Sequence, residues 1–118
     1  VIQEVIAFFS KQIAALHQLK VNDVIIDVGF GFGKTNTHNF ELLQDLSLFK
    51  NLEAPILAGI SRKSMLYKTL DISAKEALNA TTSANTIALL NGANILRVHD
   101  VKEAVEAIKI VEQVSASG

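Results

Sequence analysis

Two hydrophobic patterns alternate along this chain. From Val1 to about residue 19, apolar positions recur every three or four residues, which is typical of an amphipathic helix. A short apolar run rich in β-branched residues follows at 24–28 and predicts a buried strand. Both patterns then return twice, so the sequence predicts one leading helix followed by three strand–helix units.

The other predicted elements have recognisable boundaries. The second strand, 56–60, follows Pro55, and the third is the apolar run 94–98. Ser73 and Glu76 form a capping-box pattern at the start of one helix, and Asp100 and Glu103 repeat it at another. Helical spacing predicts four more segments: residues 39–52, a short piece ending at Leu70, residues 73–90 with a stop at Asn91-Gly92, and residues 100–114.

This order of elements indicates an α/β protein. No hairpin pattern occurs, and strands joined by helical crossovers of this length run parallel. Three strands are too few to close a barrel, so we expect the C-terminal portion of a TIM (β/α)8 barrel, with about three parallel strands and four or five helices. We treat residues 1–118 as a single partial barrel domain. Helical spacing already runs at Val1 with no preceding methionine, which indicates a fragment of a longer protein.

Composition and charge narrow the class of partner. Hydrophobic residues make up 49% of the chain and charged residues 19%, which suits a packed core. A formal net charge of -1 argues against nucleic acid and anionic membranes as the main partners. The absence of cysteine fits a reducing compartment and excludes disulfide and thiolate chemistry.

Polar residues follow each predicted strand at its carboxyl end. The first strand ends in Asp27, residues 61–64 (Ser-Arg-Lys-Ser) follow the second, and Arg97, His99 and Asp100 end the third. Because neighbouring parallel strands end at one edge of the sheet, we expect these groups to converge on one face.

The first strand and its loop allow two interpretations. Asp27 either accepts hydrogen bonds from the N–H groups of a ligand, or it simply caps a turn or pairs with a neighbouring lysine. The glycine loop 29–35 (GFGFGKT) matches neither the phosphate-binding P-loop nor the dinucleotide pattern. It is either a flexible connector or a platform on which one of Phe30 and Phe32 packs inward while the other lines a site for a flat ligand.

The second and third strand ends also leave alternatives open. Residues 61–64 form either a carboxylate or phosphate site at a helix start or a solvated basic turn capped by Ser64. Arg97 and His99 are two positions apart and so point to the same side of a strand. They bind one anion together, or Arg97 pairs with Asp100 while His99 serves as a structural donor.

Three motifs in this order closely resemble dihydropteroate synthase of the folate pathway: DVGFGFGKT, GISRKSM and NGANILRVHDVKE. The resemblance covers about residues 22–114. It implies a transferase that joins 4-aminobenzoate to 6-hydroxymethyl-7,8-dihydropterin diphosphate and releases diphosphate. Sulfonamides compete for the aminobenzoate site of this family. The family usually has proline after the strand-end aspartate, where this chain has Val28, and we expect little functional cost.

The resemblance also implies roles for individual residues. Asp27, Gly59 and Lys63 would bind the pterin. Arg97 and His99 would bind the leaving diphosphate and, with Lys63, form the catalytic group. The expected aminobenzoate pocket comprises Phe32, Ser61, Lys63 and Ser64.

Further expectations concern what lies outside the chain. The family's Mg²⁺ is held with the diphosphate by an asparagine, which we expect outside these residues, together with further pterin contacts and two mobile loops. We therefore expect no turnover from this polypeptide alone. The resemblance further implies a cytoplasmic enzyme with small-molecule substrates that forms a homodimer or a larger assembly through its late helices.

Two other functions remain open. A pterin-binding barrel of a corrinoid-dependent methyltransferase would share the aspartate-ended strand but would not need the basic turn at 61–64 or the Arg97–His99 pair. A catalytically inert fragment or folding module would keep the sequence without a complete site.

Overall fold

Three parallel strands with helical connections form the framework of the chain. The computed structural model describes residues 2–31 and 34–117. The order of elements is α1 (Ile2–Gln18), β1 (Ile26–Asp27), α2 (Asn36–Gln44), a 3₁₀ helix (Leu46–Leu52), β2 (Ile56–Ala58), α3 (Ser64–Leu70), a second 3₁₀ helix (Ala74–Glu76), α4 (Leu78–Leu90), β3 (Ile95–Leu96) and α5 (Val101–Ser117).

The sheet has the spatial order β1-β2-β3, and both strand pairs are parallel. Ile26 and Asp27 of β1 lie opposite Ile56 and Leu57 of β2. On the other side of β2, Leu57 and Ala58 lie opposite Ile95 and Leu96 of β3. Because the three strands point the same way, their carboxyl ends lie at one edge of the sheet. The predicted α/β class, built from parallel βα units of a barrel, is confirmed.

Apolar side chains from the strands and the helices around them form one core. Val28 is 3% exposed, so the residue that replaces the family's usual proline belongs to this core. Phe30 is 1% exposed, which confirms that one phenylalanine of the glycine loop packs inward. The other, Phe32, lies outside the described residues. The largest fully buried apolar side chains are Ile26, Phe30, Leu42, Leu46, Phe49, Ile56, Ile60 and Met65.

Several element boundaries differ from the predictions. Each strand is shorter than its apolar run, because burial extends beyond the residues that pair with a neighbouring strand. The predicted helix 39–52 is wrong as one element. It divides at Asp45 into α2 and a 3₁₀ helix, where the bond from Leu48 N to Asp45 O spans three residues instead of four.

The caps show two confirmed predictions and two corrections. The capping box at Ser73 is present, and the Glu76 carboxylate accepts from the Ser73 N–H and hydroxyl. It opens only a 3₁₀ turn, and the long helix begins later, at Leu78. Ser64 does not cap α3, because Lys63 takes the N-cap position. The predicted stop at Asn91 is confirmed, and Gly92 has a φ of 107°.

In the part of the chain that the structure describes, no helix is both long and apolar enough to cross a membrane.

Candidate functional site

Charged side chains from two strand ends meet at the carboxyl edge of the sheet. Asp27 ends β1, and Arg97 follows β3. Arg97 Nη1 donates to Asp27 Oδ2 at 2.8 Å, although 70 residues separate the two in sequence. Both side chains remain about half exposed, at 41% for Asp27 and 52% for Arg97. The predicted convergence of these strand ends is therefore observed, and the pair stays open to a ligand.

Gly59, at the end of β2, makes room for this ion pair. A Cβ atom on Gly59 would overlap the guanidinium of Arg97, with Nη2 as the nearest atom. Gly59 itself is buried. The structure thus places this predicted pterin-binding residue directly beneath Arg97, where the absence of a side chain lets the guanidinium lie against the backbone.

Lys63 completes the cluster from the loop after β2. Its Nζ donates to the carbonyl oxygen of Phe30 in the glycine loop. Its Cδ would lie 3.4 Å from a Cβ built on Gly31, so the lysine stem runs along this glycine. Asp27, Lys63 and Arg97 accordingly surround one region at the carboxyl edge.

Four polar contacts fix residues 29–31 of the glycine loop. Asp27 Oδ1 accepts from Gly29 N at 3.0 Å, and Lys34 Nζ donates to Gly29 O at 2.9 Å. Lys63 holds the next carbonyl, that of Phe30. Beyond it, Asn39 Oδ1 accepts from Gly31 N at 2.9 Å. These bonds favour an ordered platform over the flexible connector that the sequence left open.

The electrostatics of the cluster favour an ionised Asp27. Burial raises the pKa of the Asp27 carboxyl, but the hydrogen bonds from Arg97 and Gly29 and the nearby positive charges outweigh it. The net pKa lies below the ordinary value. Lys63 shows the opposite balance: burial, followed by the positive charges of Arg97 and Lys34, lowers its pKa despite the attraction of Asp27. The surroundings therefore favour the ionised form of Asp27 and disfavour the charged form of Lys63.

A second ion pair joins the loops after β2 and β3. Arg62 Nε and Nη2 donate to the two carboxylate oxygens of Asp100 at 3.0 and 3.1 Å. The alternative in which Arg97 pairs with Asp100 is therefore wrong, because each of these residues has a different partner. Periodicity along one strand could not predict these partners, because each observed ion pair joins residues from the ends of two different strands.

The remaining predicted residues occupy the same edge. His99 is exposed, and its backbone N–H donates to the hydroxyl of Ser61 at 3.2 Å. Ser61 is only 8% exposed, and through this bond its hydroxyl links the loop after β2 to the end of the third strand. Ser64 is half-buried at the first position of α3. Phe32, the predicted aromatic wall of the aminobenzoate pocket, lies outside the described residues.

Sequence reasoning missed three residues that support this arrangement. Asn39 and Thr81 are almost fully buried and bond to the glycine loop and to Arg62 N, respectively. Lys34 reaches back to the start of its own loop. A polar residue at a core position of a helix was the available clue for Asn39 and Thr81. Nothing in the spacing identified their partners.

The described residues do not include a cluster of acidic, histidine or cysteine side chains. Among residues 2–31 and 34–117, no group of three or more His, Cys, Asp or Glu residues lies close enough to hold an ion. The two carboxylates near the cluster, Asp27 and Asp100, each face an arginine. Both carboxylates are therefore already paired with a cation.

Parallel βα units with polar residues gathered at the carboxyl ends of the strands are typical of (β/α)8-barrel enzymes. Residues 1–99 match the family model described as pterin binding enzyme, and the chain belongs to this family.

Curated relatives and solved structures agree with this assignment. The chain is 43% identical over 114 residues to a dihydropteroate synthase of Escherichia coli, a match that covers 95% of the chain and 40% of the relative. It is 40% identical over 112 residues to the enzyme of Haemophilus influenzae, with coverages of 93% and 41%. The resemblance drawn from the three motifs is thereby confirmed.

Two solved structures show the same backbone. The dihydropteroate synthase of Yersinia pestis with a pterine-sulfa conjugate has a TM-score of 0.95 and 37% identity, over 99% of this chain and 47% of that one. The enzyme of Xanthomonas albilineans in complex with 7,8-dihydropteroate has a TM-score of 0.91 and 33% identity, over 98% and 46%. The chain spans about two fifths of the length of the curated relatives.

Proposed function

We propose that this chain supplies part of the substrate site of a dihydropteroate synthase. The reaction joins 4-aminobenzoate to 6-hydroxymethyl-7,8-dihydropterin diphosphate. The observation that carries the proposal is the meeting of Asp27, Lys63 and Arg97 at the carboxyl ends of three parallel strands. The similarity to dihydropteroate synthases from several bacteria supports the same activity.

Asp27 is proposed to bind the pterin through its N–H edge. Its two oxygens already accept from Gly29 N and Arg97, and an ionised carboxylate has about four acceptor positions, so it can accept further N–H groups. A carboxyl group of ordinary pKa is already ionised at neutral pH, and the pKa of Asp27 is lowered further. Lys63 and Gly59 border the same space and would lie against the pterin ring.

The aminobenzoate is proposed to bind between the glycine loop and the start of α3. Lys63 links these two segments through its bond to Phe30 O. Ser64 at the first helical position would hold the aminobenzoate carboxylate, and Ser61 and Phe32 would complete the pocket. Sulfonamides would compete for this pocket.

Arg97 and His99 are proposed to bind the diphosphate that leaves. The amine nitrogen attacks the pterin methylene carbon, and the carbon–oxygen bond to diphosphate breaks with its electron pair on oxygen. Negative charge develops on the leaving group, and fixed cations stabilise it. Because the amine is already a neutral nucleophile that loses its proton after attack, orientation and leaving-group stabilisation supply most of the catalysis.

Other components are proposed to come from outside these 118 residues. The Mg²⁺ that accompanies the diphosphate is proposed to take its protein ligand, an asparagine, from that outside part. We also propose a cytoplasmic location, which suits a chain without cysteine. We further propose a homodimer or larger assembly that forms through the late helices.

Steady-state kinetics of the intact protein test the proposal. Lys63→Ala and Arg97→Ala should each lower kcat/KM about 100-fold or more, since each removes a charge fixed at the reacting groups. Lys68→Ala is the matched control, because Lys68 lies on α3 but is exposed. The measurement is diphosphate release that depends on both 4-aminobenzoate and the pterin diphosphate.

Each outcome distinguishes the functions considered. Release that requires both substrates and falls in the two site variants supports the synthase. Pterin binding with methyl transfer to a corrinoid, and no diphosphate release, identifies the methyltransferase alternative instead. For the isolated 118-residue chain, we expect saturable calorimetric binding of a pterin diphosphate analogue without turnover, and an absence of binding heat would indicate an inert module.

A further inference from the structure

The Arg62–Asp100 pair lies next to the proposed site and uses its hydrogen-bonding groups on the protein itself. Arg62 directs Nε and Nη2 to Asp100, and its Nη1 donates to the carbonyl oxygens of Ala74 and Lys75 at 2.9 and 2.7 Å. The side chains of Arg62 and Asp100 are 21% and 23% exposed. With four donor contacts made internally, this guanidinium is not arranged to bind a substrate anion.

The backbone of Arg62 is held as firmly as its side chain. Its φ is 53°, a left-handed conformation that residues with a Cβ adopt only when the surroundings require it. Its N–H donates to Thr81 Oγ1 at 3.0 Å, and Thr81 is 2% exposed on α4. The turn immediately before Lys63 is therefore fixed by α4 and by the loop after β3.

This turn and the third strand end carry the groups of the proposed reaction. Lys63 directly follows Arg62, and His99 directly precedes Asp100. The bond from His99 N to Ser61 Oγ joins the same two loops a second time. The Arg62–Asp100 pair is therefore one of two links between the loop that carries Lys63 and the strand end that carries Arg97 and His99.

We propose that Arg62 and Asp100 are positioning residues that set the distance between Lys63 and the diphosphate-binding pair without contacting either substrate. The proposal rests on the synthase function proposed above. Arginine suits this role because its planar fork fixes both distance and orientation to a carboxylate, which a lysine does not.

The test uses Asp100→Asn and Arg62→Lys in the intact protein. Both variants keep most of the side-chain volume and remove the two-pronged ion pair. We expect kcat to fall about 10- to 100-fold in each, because a displacement of about 1 Å at reacting groups has effects of that size. The KM values for both substrates should change less than about threefold, since no substrate contact is removed. Glu106→Gln, on the exposed part of α5, is the control and should keep the wild-type kcat.

A double-variant cycle separates positioning from general destabilisation. If the pair acts as one unit, the kcat of the double variant Arg62→Lys with Asp100→Asn should be no lower than that of the single variant with the lower kcat. Thermal melts provide the folding reference, and kinetics are measured well below the transition. A kcat within about twofold of the wild-type value in both single variants would overturn the proposal, as would fully additive losses.

A readout without turnover keeps this inference distinct from the proposed function. Amide hydrogen exchange of His99 and Arg62 should become at least about tenfold faster in Asp100→Asn, while α1 stays unchanged. Absence of wild-type synthase turnover would refute the proposed function and, with it, the catalytic purpose of the pair. Unchanged exchange at both amides would show that the pair does not hold the loops at all.

Discussion

At the scale of single residues, the site depends on one position that must lack a side chain. Gly59 lies beneath Arg97, and a Cβ there would displace the guanidinium that pairs with Asp27. Gly59 does not have a positive φ, so its backbone conformation allows alanine. The requirement at this position is therefore for space and not for backbone conformation.

Gly59→Ala should separate activity from stability. The displaced atoms are the far end of a flexible, half-exposed side chain, so the free energy of unfolding should fall by less than about 1 kcal/mol. Synthase kcat/KM should fall at least about tenfold, because Arg97 loses its position. Kinetics and urea denaturation of the intact protein measure the two effects.

Gly92→Ala is the matched control with the opposite expectation. Gly92 has a φ of 107°, which strains any residue with a Cβ, so this variant should lose about 1–3 kcal/mol of stability. Gly92 lies at the end of α4, away from the carboxyl edge of the sheet, and kcat/KM should stay unchanged. Equal losses of stability and activity in both variants would contradict the role given to Gly59.

The ion pairs also predict how stability depends on pH. The hydrogen bond from Arg62 is the largest influence on Asp100 and lowers its pKa, and the net pKa of Asp27 is lowered as well. The unfolded chain therefore binds more protons than the folded protein in the acidic range, so stability present above about pH 4 is lost as the pH falls through the folded pKa values.

Asp100→Asn tests this dependence directly. Between about pH 5 and pH 2, its free energy of unfolding should fall less steeply than that of the wild type, because one coupled carboxylate has been removed. Urea denaturation at a series of pH values gives both slopes in the same buffers. Parallel slopes would show that the Arg62–Asp100 pair does not stabilise the folded protein through ionisation.

At the scale of elements, helix α2 positions the glycine loop. Its N-cap is Thr35, whose hydroxyl accepts from His38 N at 3.1 Å. One turn further on, Asn39 accepts from Gly31 N, so the start of α2 determines where the loop lies. An exposed cap of this kind connects local helix stability to the geometry of the site.

Removal of this cap should destabilise the loop and the helix together. Thr35→Ala should lower the free energy of unfolding by about 1 kcal/mol, the usual cost of losing an N-cap hydroxyl. Thr35→Ser keeps the acceptor and should stay within about 0.5 kcal/mol of the wild type. Urea denaturation measures both, and equal stability of the two variants would exclude a capping role.

The sequence predicted the elements better than their ends. Apolar runs located all three strands, but burial cannot show which residues find a partner across the sheet, and each strand pairs over only part of its run. Leu42, Leu46 and Phe49 have spacings that suit both an α-helix and a 3₁₀ helix, so periodicity could not predict the change at Asp45.

The site was predicted at the correct edge, but its internal pairing was not. Asp27, Lys63 and Arg97 were identified because each lies at the carboxyl end of a strand or just after it, and parallel strands end together. Which acid faces which arginine depends on long-range contacts. The partners are 38 positions apart in the Arg62–Asp100 pair and 70 positions apart in the Arg97–Asp27 pair, and no local spacing predicts such contacts. The support from Asn39 and Thr81 was missed for the same reason.

At the scale of the whole molecule, the three-stranded sheet has two outer edges. In the part of the chain that the structure describes, β1 and β3 each pair with β2 alone. The chain also spans about two fifths of the length of its curated relatives. We therefore expect residues outside this chain to complete the proposed site at the carboxyl ends of the strands.

The last helices favour association with a second copy, as proposed above. Ile110 and Val114 on α5 are 65% and 59% exposed, and they lie one helical turn apart on the same face. Exposed large apolar side chains of this kind are unfavourable in water and gain from burial against a partner.

We expect light scattering after size exclusion to give the mass of a dimer or larger assembly for the intact protein. Ile110→Glu should shift this mass toward the monomer, because it places a charge in the contact. Leu70→Glu, at the exposed end of α3, is the matched control and should leave the mass unchanged. A monomeric wild type would contradict the prediction, and equal shifts in both variants would place the contact elsewhere.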